Sequence, residues 1–192
     1  SNTFPLPFAM RLSRLILLMA LLCAPTVQAQ EFDFSWDHAT VYRVVTDRFS
    51  NGDSSNDFSY GRGLDGNGSP YDKDPSGHFD GGDFAGLTPW LEEDYFASLG
   101  VNVLWISAPY EQVHGWIGGG DGDVQLFGYE GAWPLDYTSL DNAFGHEDDF
   151  SALLAAAHAK GMKVIIDVDL NHVGPATMHD MAAFNFGGLK SD

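Results

Sequence analysis

The sequence predicts an α/β fold in which short parallel strands alternate with helices. Three apolar runs rich in β-branched residues, 41–46, 103–106 and 164–166, are typical of buried strands. Segments with helical spacing of apolar residues lie between them. This order implies right-handed crossovers between parallel strands, and therefore an α/β sheet or barrel. Three strands are too few to complete either one.

Two helices are predicted between the strands. The first is expected to begin at Thr88 and Pro89, because threonine can cap a helix and proline tolerates its first position, and to end at Gly100. Its apolar positions are Leu91, Tyr95 and Leu99. The second begins with the acidic residues 147–149, which favour a helix amino terminus, and ends at Lys160 and Gly161. Its apolar stripe is Phe150, Leu153, Leu154 and Ala157.

The connections between these elements are unequal in length. Segments 51–86 and 109–145, rich in Gly, Asp, Asn and Ser, follow the first two strands, whereas the returns from helix to strand are brief. The third strand leads directly into Asp167, Asp169, Asn171 and His172. Because parallel α/β folds build their sites from loops at the carboxyl ends of the strands, we expect the functional site at this edge.

Composition excludes several classes of function. The chain has 192 residues, with 27 acidic residues against 9 lysines and arginines, and a formal charge of -18. Such a charge repels nucleic acid and anionic membrane surfaces. The sequence also lacks a GxSxG elbow, a phosphate-binding Gly-Lys loop and a dinucleotide fingerprint. The length favours one domain or part of one.

The amino terminus resembles a targeting segment. Met10 is followed by Arg11 and Arg14, by the apolar run 15–23, and by small residues up to Ala29. This is the order of a secretory signal peptide. We therefore assign residues 1–29 to an upstream remnant plus a signal peptide starting at Met10, and predict a secreted or periplasmic protein that has no membrane attachment after cleavage. The single cysteine, Cys23, would be removed, which excludes disulfides.

The first long loop contains closely spaced oxygen-bearing side chains. Asn51, Asp53, Asn56 and Asp57 lie within seven positions, and Asp83 follows a pair of glycines. Calcium takes six to eight oxygen ligands and suits such a loop. The alternative is a set of turns in which Asn and Asp side chains capture their own backbone amides. Glycine is missing from the position that an EF-hand requires.

Aromatic residues are concentrated in the second long loop. They are Trp116, Phe127, Tyr129 and Trp133. Aromatic faces beside carboxylates suit sugar rings, although core packing explains each residue equally well. The histidines lack the paired spacing of a zinc helix, so we interpret four of them as surface or capping residues: His78, His114, His146 and His158.

From Val41 onward the sequence resembles the amino-terminal part of glycoside hydrolase family 13, the α-amylase family, particularly secreted α-amylases and cyclodextrin glucanotransferases. VYRVVTDRFSNGD is similar to the family's first strand and the calcium loop that follows it, and GVNVLWISAPYE to the second strand. FGHEDDFSALLAAAHAKGMKVIIDVDLNHVG is similar to the second helix, the third strand and the first conserved region. The last match is highly specific because the helix, the glycine that ends it, the strand and the Asn-His pair occur in the same order and at the same spacing.

The resemblance implies an incomplete (β/α)8 TIM barrel, comprising about the first three strands, with long loops at the strand carboxyl ends. Residues 30–192 would be the amino-terminal part of the catalytic domain, truncated near the start of the loop domain after strand three. The resemblance also implies cleavage of α-1,4-glucosidic bonds in starch or maltooligosaccharides with retention of configuration.

The resemblance also implies site residues. A calcium ion would be held by Asn51, Asp53, Asn56, Asp57, the Gly81 carbonyl and Asp83. Asn171 would bind a second calcium. The substrate-binding residues would be His172, Tyr129 and Trp133. Asp167 would be a buried structural carboxylate.

Catalytic carboxylates are not assigned within this chain, because the family takes them from strands four, five and seven. A retaining glycosidase needs two such groups. We therefore expect the 192-residue chain alone to be inactive. We also expect the full-length protein to be a monomer. An α-glucan transglycosylase of the glucanotransferase type remains an alternative. A non-catalytic glucan-binding homologue is another, because Glu130 and Ala132 stand where the family has histidine and an aromatic residue.

Overall fold

The computed structural model describes residues 34–71, 77–118 and 124–183. The predicted signal peptide lies outside these residues. The chain divides after Ser35 into two units, and the description below concerns the second, which starts at Trp36. In the described part of the chain, no helix is both long enough and apolar enough to cross a membrane.

Among the described residues of this unit there are seven strands and four α-helices. The strands are β1 (Val41–Val44), β2 (Val103–Ile106), β3 (Tyr110–Gln112), β4 (Ile117–Gly118), β5 (Gln125–Leu126), β6 (Pro134–Leu140) and β7 (Lys163–Ile166). The helices are α1 (Phe84–Glu92), α2 (Tyr95–Ser98), α3 (Glu147–Ala159) and α4 (Met178–Ala183). Short 3-10 helices cover Trp36–His38, Thr46–Arg48 and Ser59–Gly61.

The main sheet confirms the predicted parallel α/β arrangement. Its order is β1-β2-β7, and both pairings are parallel, with Val41 opposite Val103 and Val103 opposite Lys163. The first strand is shorter than predicted, because the chain enters the 3-10 helix at Thr46. Since all three strands run in one direction, their carboxyl ends meet at one edge, as the sequence predicted.

The predicted start of the first helix is wrong. The α1 helix begins at Phe84, and the Asp83 carboxylate caps it by accepting a 2.6 Å hydrogen bond from the Gly86 amide. Thr88 lies inside the helix, where its hydroxyl donates to the Phe84 carbonyl. Helix α1 ends at Glu92, and the positive φ of Asp94 separates it from α2. An aspartate cap five residues upstream of Thr88 therefore outweighs the Thr-Pro signal.

The second helix agrees with its prediction. Helix α3 runs from Glu147 to Ala159, and His146 and Asp149 form a capping box at its start. Leu153 and Ala157 are completely buried. Gly161, with φ of 69°, ends the helix in the left-handed region that glycine favours.

The core lies between the main sheet and helices α1 to α3. Its largest buried members are Phe84, Leu87, Leu91, Phe96, Leu104, Ile106, Phe144 and Leu153. The second long loop adds two small antiparallel sheets, β3-β6 and β4-β5, which the sequence patterns did not predict. The β3-β6 pair holds this loop against the carboxyl edge of the main sheet, because β3 closely follows β2.

Asp167 is not the buried carboxylate that the resemblance implied. Its side chain is 41% exposed and lies 3.8 Å from the Arg43 guanidinium, which is itself 49% exposed. Both residues belong to outer strands or their ends in the described sheet, where a neighbouring strand covers one side only. The expectation of burial is therefore wrong for this structure.

Candidate functional site

Three chain segments meet at the carboxyl edge of the main sheet. They are the turn after β1, the segment 129–133 from the second long loop, and the segment 167–174 after β7. We call the residues that these segments contribute the rim: Arg48, Tyr129, Ala132, Trp133 and His172. The contacts below show how the rim is assembled.

Arg48 joins the first segment of the rim to the second. Its guanidinium carbon lies 3.7 Å from the centroid of the Tyr129 ring, a cation-π contact. The same guanidinium donates a 2.7 Å hydrogen bond to the His78 carbonyl and pairs with Asp47 at 3.2 Å. The Tyr129 ring is therefore fixed by a charged group that is itself held on several sides.

His172 joins the second segment to the third. Its Nε2 lies 2.9 Å from the Ala132 carbonyl oxygen. Because a carbonyl only accepts, Nε2 carries the proton, and in the neutral ring Nδ1 can accept a hydrogen bond. The His172 side chain is exposed. It can therefore meet a ligand while its backbone-directed nitrogen sets the orientation of the ring.

Other contacts anchor the last two segments to the neighbouring strands β6 and β3. The Tyr137 hydroxyl donates to the Asp169 carbonyl at 2.5 Å, and the Gly174 amide donates to the Pro134 carbonyl at 2.8 Å. The Trp133 amide donates to Gln112 Oε1 at 2.7 Å. The structure thus brings the three residues predicted to bind sugar to one edge of the sheet, with Trp133 placed there by its backbone. Phe127, in contrast, is 6% exposed and packs edge-on against His78, as a core residue does.

The residues of the predicted calcium loop form one cluster beside the start of α1. Asn51 Nδ2 donates a 2.7 Å hydrogen bond to Asp57 Oδ1, and Asn56 Nδ2 lies 3.2 Å from Asp83 Oδ2. A methyl group at Gly81 would fall within 2.6 Å of both Asn51 and Asp57, so the Gly81 backbone lies against these two side chains. Asn171 lies elsewhere, in the exposed segment after β7.

The donor atoms of this cluster fit a calcium ion. Carboxylate, amide and carbonyl oxygens are the ligands that calcium prefers. Asn56 Oδ1 is buried, and no hydrogen bond satisfies it in the described structure. A buried oxygen without a donor is costly, and a cation would offset that cost. The Asx-turn alternative also has support, because Asp53 Oδ1 accepts hydrogen bonds from the amide and hydroxyl of Ser55.

Asp83 organises the cluster through its hydrogen bonds. Its Oδ1 accepts from the amides of Gly52 and Gly86, and its Oδ2 accepts from the Asp53 amide and the Asn56 side chain. The carboxylate is completely buried. It therefore ties the loop after β1 to the start of α1, while its role as a calcium ligand stays a prediction.

Asp47 fixes the backbone segment that contains Gly81. Its buried carboxylate accepts hydrogen bonds from the Asp80 amide at 3.0 Å and the Gly81 amide at 3.2 Å. Burial raises the pKa of Asp47 to about 6, although these amides and the charge of Arg48 act to lower it. An aspartate with a raised pKa in the folded state makes the free energy of unfolding depend on pH.

We expect the free energy of unfolding to fall as pH rises from about 4 to 6 because of Asp47. The Asp47 carboxyl binds its proton more tightly in the folded state than in the unfolded chain. Ionising it therefore lowers the free energy of unfolding by at most about 3 kcal/mol, and Asp47 contributes no further pH dependence above this range. Urea denaturation of the full-length protein across pH 4 to 7 measures this slope. Asp47→Asn should remove it and the exposed Asp148→Asn should not; parallel profiles for both variants and the parent would contradict it.

Two of the four histidines are wrongly predicted as surface or capping residues. His78 and His114 are 6% and 8% exposed. His146 is confirmed as the cap of α3, and His158 is exposed on the same helix. A single histidine in a polar loop gives no periodicity from which burial can be predicted.

A buried ion pair behind the rim was also missed by the sequence patterns. Arg62 and Asp141 are 2% and 0% exposed and form two hydrogen bonds, of 2.7 and 2.8 Å. Arg62 also donates to the Gln112 carbonyl at 2.7 Å. The pair therefore connects the first long loop to the second, across 79 positions of sequence.

The family model described as the α-amylase catalytic domain matches residues 43–184, and the chain belongs to the α-amylase family. A periplasmic α-amylase of Escherichia coli (strain K12) is 50% identical over 157 residues, which are 81% of this chain and 22% of that protein. A cyclomaltodextrin glucanotransferase of Paenibacillus macerans is 36% identical over 164 residues, 84% of this chain and 21% of that protein.

Solved structures agree with this assignment. A gamma-CGTase from alkalophilic Bacillus clarkii superposes with a TM-score of 0.59 at 31% identity, covering 75% of this chain and 20% of that one. The chain thus spans about a fifth of the length of the curated relatives described above.

Proposed function

We propose that the chain is the amino-terminal part of the catalytic barrel of a glycosidase that cleaves α-1,4-glucosidic bonds in starch or maltooligosaccharides with retention. It would contribute about the first three strands of a (β/α)8 barrel, from residue 30 onward. The observation that carries the proposal is the rim, because the segments that carry Tyr129, Trp133 and His172 come together at the carboxyl edge of a parallel sheet.

The rim supports binding and orientation of sugar. Aromatic rings stack on the C–H faces of sugars, and a histidine with one nitrogen fixed by a carbonyl can hydrogen-bond a hydroxyl. The two carboxyl groups of a retaining mechanism are expected from elsewhere in the full-length protein. The 192-residue chain alone should therefore release no reducing ends from starch.

The same proposal covers location and partners. Similarity to a periplasmic relative, together with the signal-peptide pattern in residues 10–29, supports export to the periplasm or beyond. We propose an α-glucan as the partner and a monomer as the full-length form. We do not propose nucleic acid as a partner, because the strong negative charge of the chain would repel it.

A transglycosylase is the second candidate, because several relatives that are 35% to 37% identical are cyclomaltodextrin glucanotransferases. Incubating the full-length protein with starch and analysing the products distinguishes the candidates. Reducing ends that appear first as the α-anomer support a retaining hydrolase. Cyclic or elongated glucans would favour the transferase. Glucan binding without any product would overturn both and favour a non-catalytic homologue.

We further propose that Asn51, Asp53, Asn56, Asp57, the Gly81 carbonyl and Asp83 hold calcium, and that Asn171 contributes to a second calcium site. The ion in the first loop would supply positive charge that holds several oxygens together. The buried oxygen of Asn56 and the close approach of Gly81 to Asn51 and Asp57 support this site.

Gly81→Ala should weaken calcium binding in the full-length protein by at least about tenfold. A β-carbon there would lie 2.5 Å from Asn51 Nδ2, and φ of +86° is unfavourable for alanine. The measurement is the rise in melting temperature on adding calcium. Gly100→Ala is a matched control, because φ is +75° and its surroundings are open. An unchanged calcium response in Gly81→Ala would contradict the proposed site.

A further inference from the structure

A second cluster of metal-binding side chains lies away from the calcium loop. His114, His179 and Asp180 place one possible ligand atom each within 4.8 Å of one another. His114 follows β3, and the other two lie in α4. His114 and Asp180 are buried, whereas His179 is exposed. The cluster therefore joins the second long loop to the segment after β7, with one side open to solvent.

The separations in this cluster are too long for hydrogen bonds but close to those around a metal ion. His114 Nδ1 lies 3.6 Å from Asp180 Oδ1, and His179 Nδ1 lies 3.9 Å from the same oxygen. A hydrogen bond would need about 2.7 to 3.2 Å. Two ligands bound tetrahedrally at about 2.0 to 2.1 Å from zinc are about 3.4 Å apart. Small side-chain movements would therefore bring these atoms around one ion.

The placement of the His114 ring also suits a ligand. Its Nε2 donates a hydrogen bond to Glu111 Oε1 at 2.7 Å, and its Nδ1 lies on the side of Asp180, 3.6 Å from Oδ1. Metal-bound histidines usually donate their second N–H to a carboxylate in this manner. The ring is also stacked on Tyr60, at a centroid distance of 3.8 Å and an angle of 11°. Its orientation is therefore set by protein contacts.

Asp180 is held as an anion. Its Oδ1 accepts a 3.0 Å hydrogen bond from the His114 amide, and its Oδ2 accepts from the Gly115 amide and the Thr177 hydroxyl. Burial acts to raise the pKa of Asp180, but these hydrogen bonds and the His114 side chain lower it below the usual value. A fixed, ionised carboxylate is a ready oxygen ligand.

We propose that His114, His179 and Asp180 bind a divalent transition metal of the zinc class, with Glu111 supporting His114. Two imidazole nitrogens favour zinc and its neighbours over calcium, which takes oxygen ligands. The exposed side of His179 gives the ion access from solvent. This site is separate from the calcium loop and ties α4 to the chain that follows β3.

Cobalt titration of the full-length protein tests this proposal. The protein is freed of metal with a chelator, saturated with calcium, and titrated with cobalt(II), whose visible absorption reports nitrogen ligation. We expect one cobalt to be lost, or bound at least about tenfold more weakly, in His179→Ala. His158→Ala, an exposed histidine on α3, should behave like the parent.

A second variant and a second measurement separate ligation from folding. Glu111→Gln keeps a hydrogen-bonding side chain and should weaken cobalt binding by about 10 to 100-fold. Zinc should raise the melting temperature of the parent and not that of His179→Ala. Identical cobalt spectra and affinities in the parent and His179→Ala, or no nitrogen-ligated cobalt in the parent, would overturn the proposal.

Discussion

Replacing Asp141 with alanine is expected to lower the free energy of unfolding of the full-length protein by about 3 to 5 kcal/mol, because it leaves the buried Arg62 guanidinium without its counter-charge. The substitution also removes the acceptor for the amides of Gln112 and Ala143. Both long loops depend on this pair. Chemical denaturation of the parent and the variant at neutral pH measures the loss.

Asp167→Ala provides the matched control for this prediction. Its ion pair with Arg43 spans 3.8 Å between side chains that are 41% and 49% exposed, so solvent screens it. Exposed pairs contribute about 0 to 1 kcal/mol. Equal losses for Asp141→Ala and Asp167→Ala would show that burial does not determine the effect, contrary to this account.

His172→Ala is expected to lower kcat/KM of the full-length protein on maltoheptaose by about 10² to 10³-fold if it has the proposed role, which is the size of effect seen when a preorganised hydrogen-bonding group is removed from an active site. The side chain is exposed, and the alanine leaves the Ala132 carbonyl accessible to water. The melting temperature should therefore stay within a degree or two of the parent. Steady-state kinetics and thermal unfolding measure the two effects.

His158→Ala is the control for His172→Ala, because it removes an exposed histidine from α3, away from the rim. It should keep the parent's kinetics and stability. If His172→Ala retained full kcat/KM, the rim would not contact the reacting sugar. If it unfolded at a much lower temperature, the role of His172 would be structural.

The sequence predicted those parts of the fold whose apolar residues recur with a regular spacing. The strands 103–106 and 163–166 and the helix Glu147–Ala159 were found with correct types and nearly correct bounds, because buried strands and amphipathic helices repeat their apolar positions. The start of α1 was missed because two capping signals competed, and the upstream aspartate prevailed over Thr88. Caps are local, and the stronger one cannot be identified from spacing.

The site was predictable to the extent that neighbouring residues compose it. Asn51, Asp53, Asn56 and Asp57 lie close together in sequence, and the parallel strands imply one common edge. Contacts between distant residues were not predictable. Examples are the stacking of Arg48 on Tyr129, the Arg62–Asp141 pair and the His114 cluster. These contacts depend on how two irregular loops pack, and a regular spacing of residues in the sequence does not predict that packing.

Amide hydrogen exchange of the full-length protein, with and without maltoheptaose, tests most directly whether the rim binds glucan. The account predicts that the sugar slows exchange in segments 129–133 and 167–174, where Trp133 and His172 lie. Exchange in the outer helix α3 should stay unchanged. Slowed exchange confined to other parts of the protein, with both rim segments unaffected, would contradict the account.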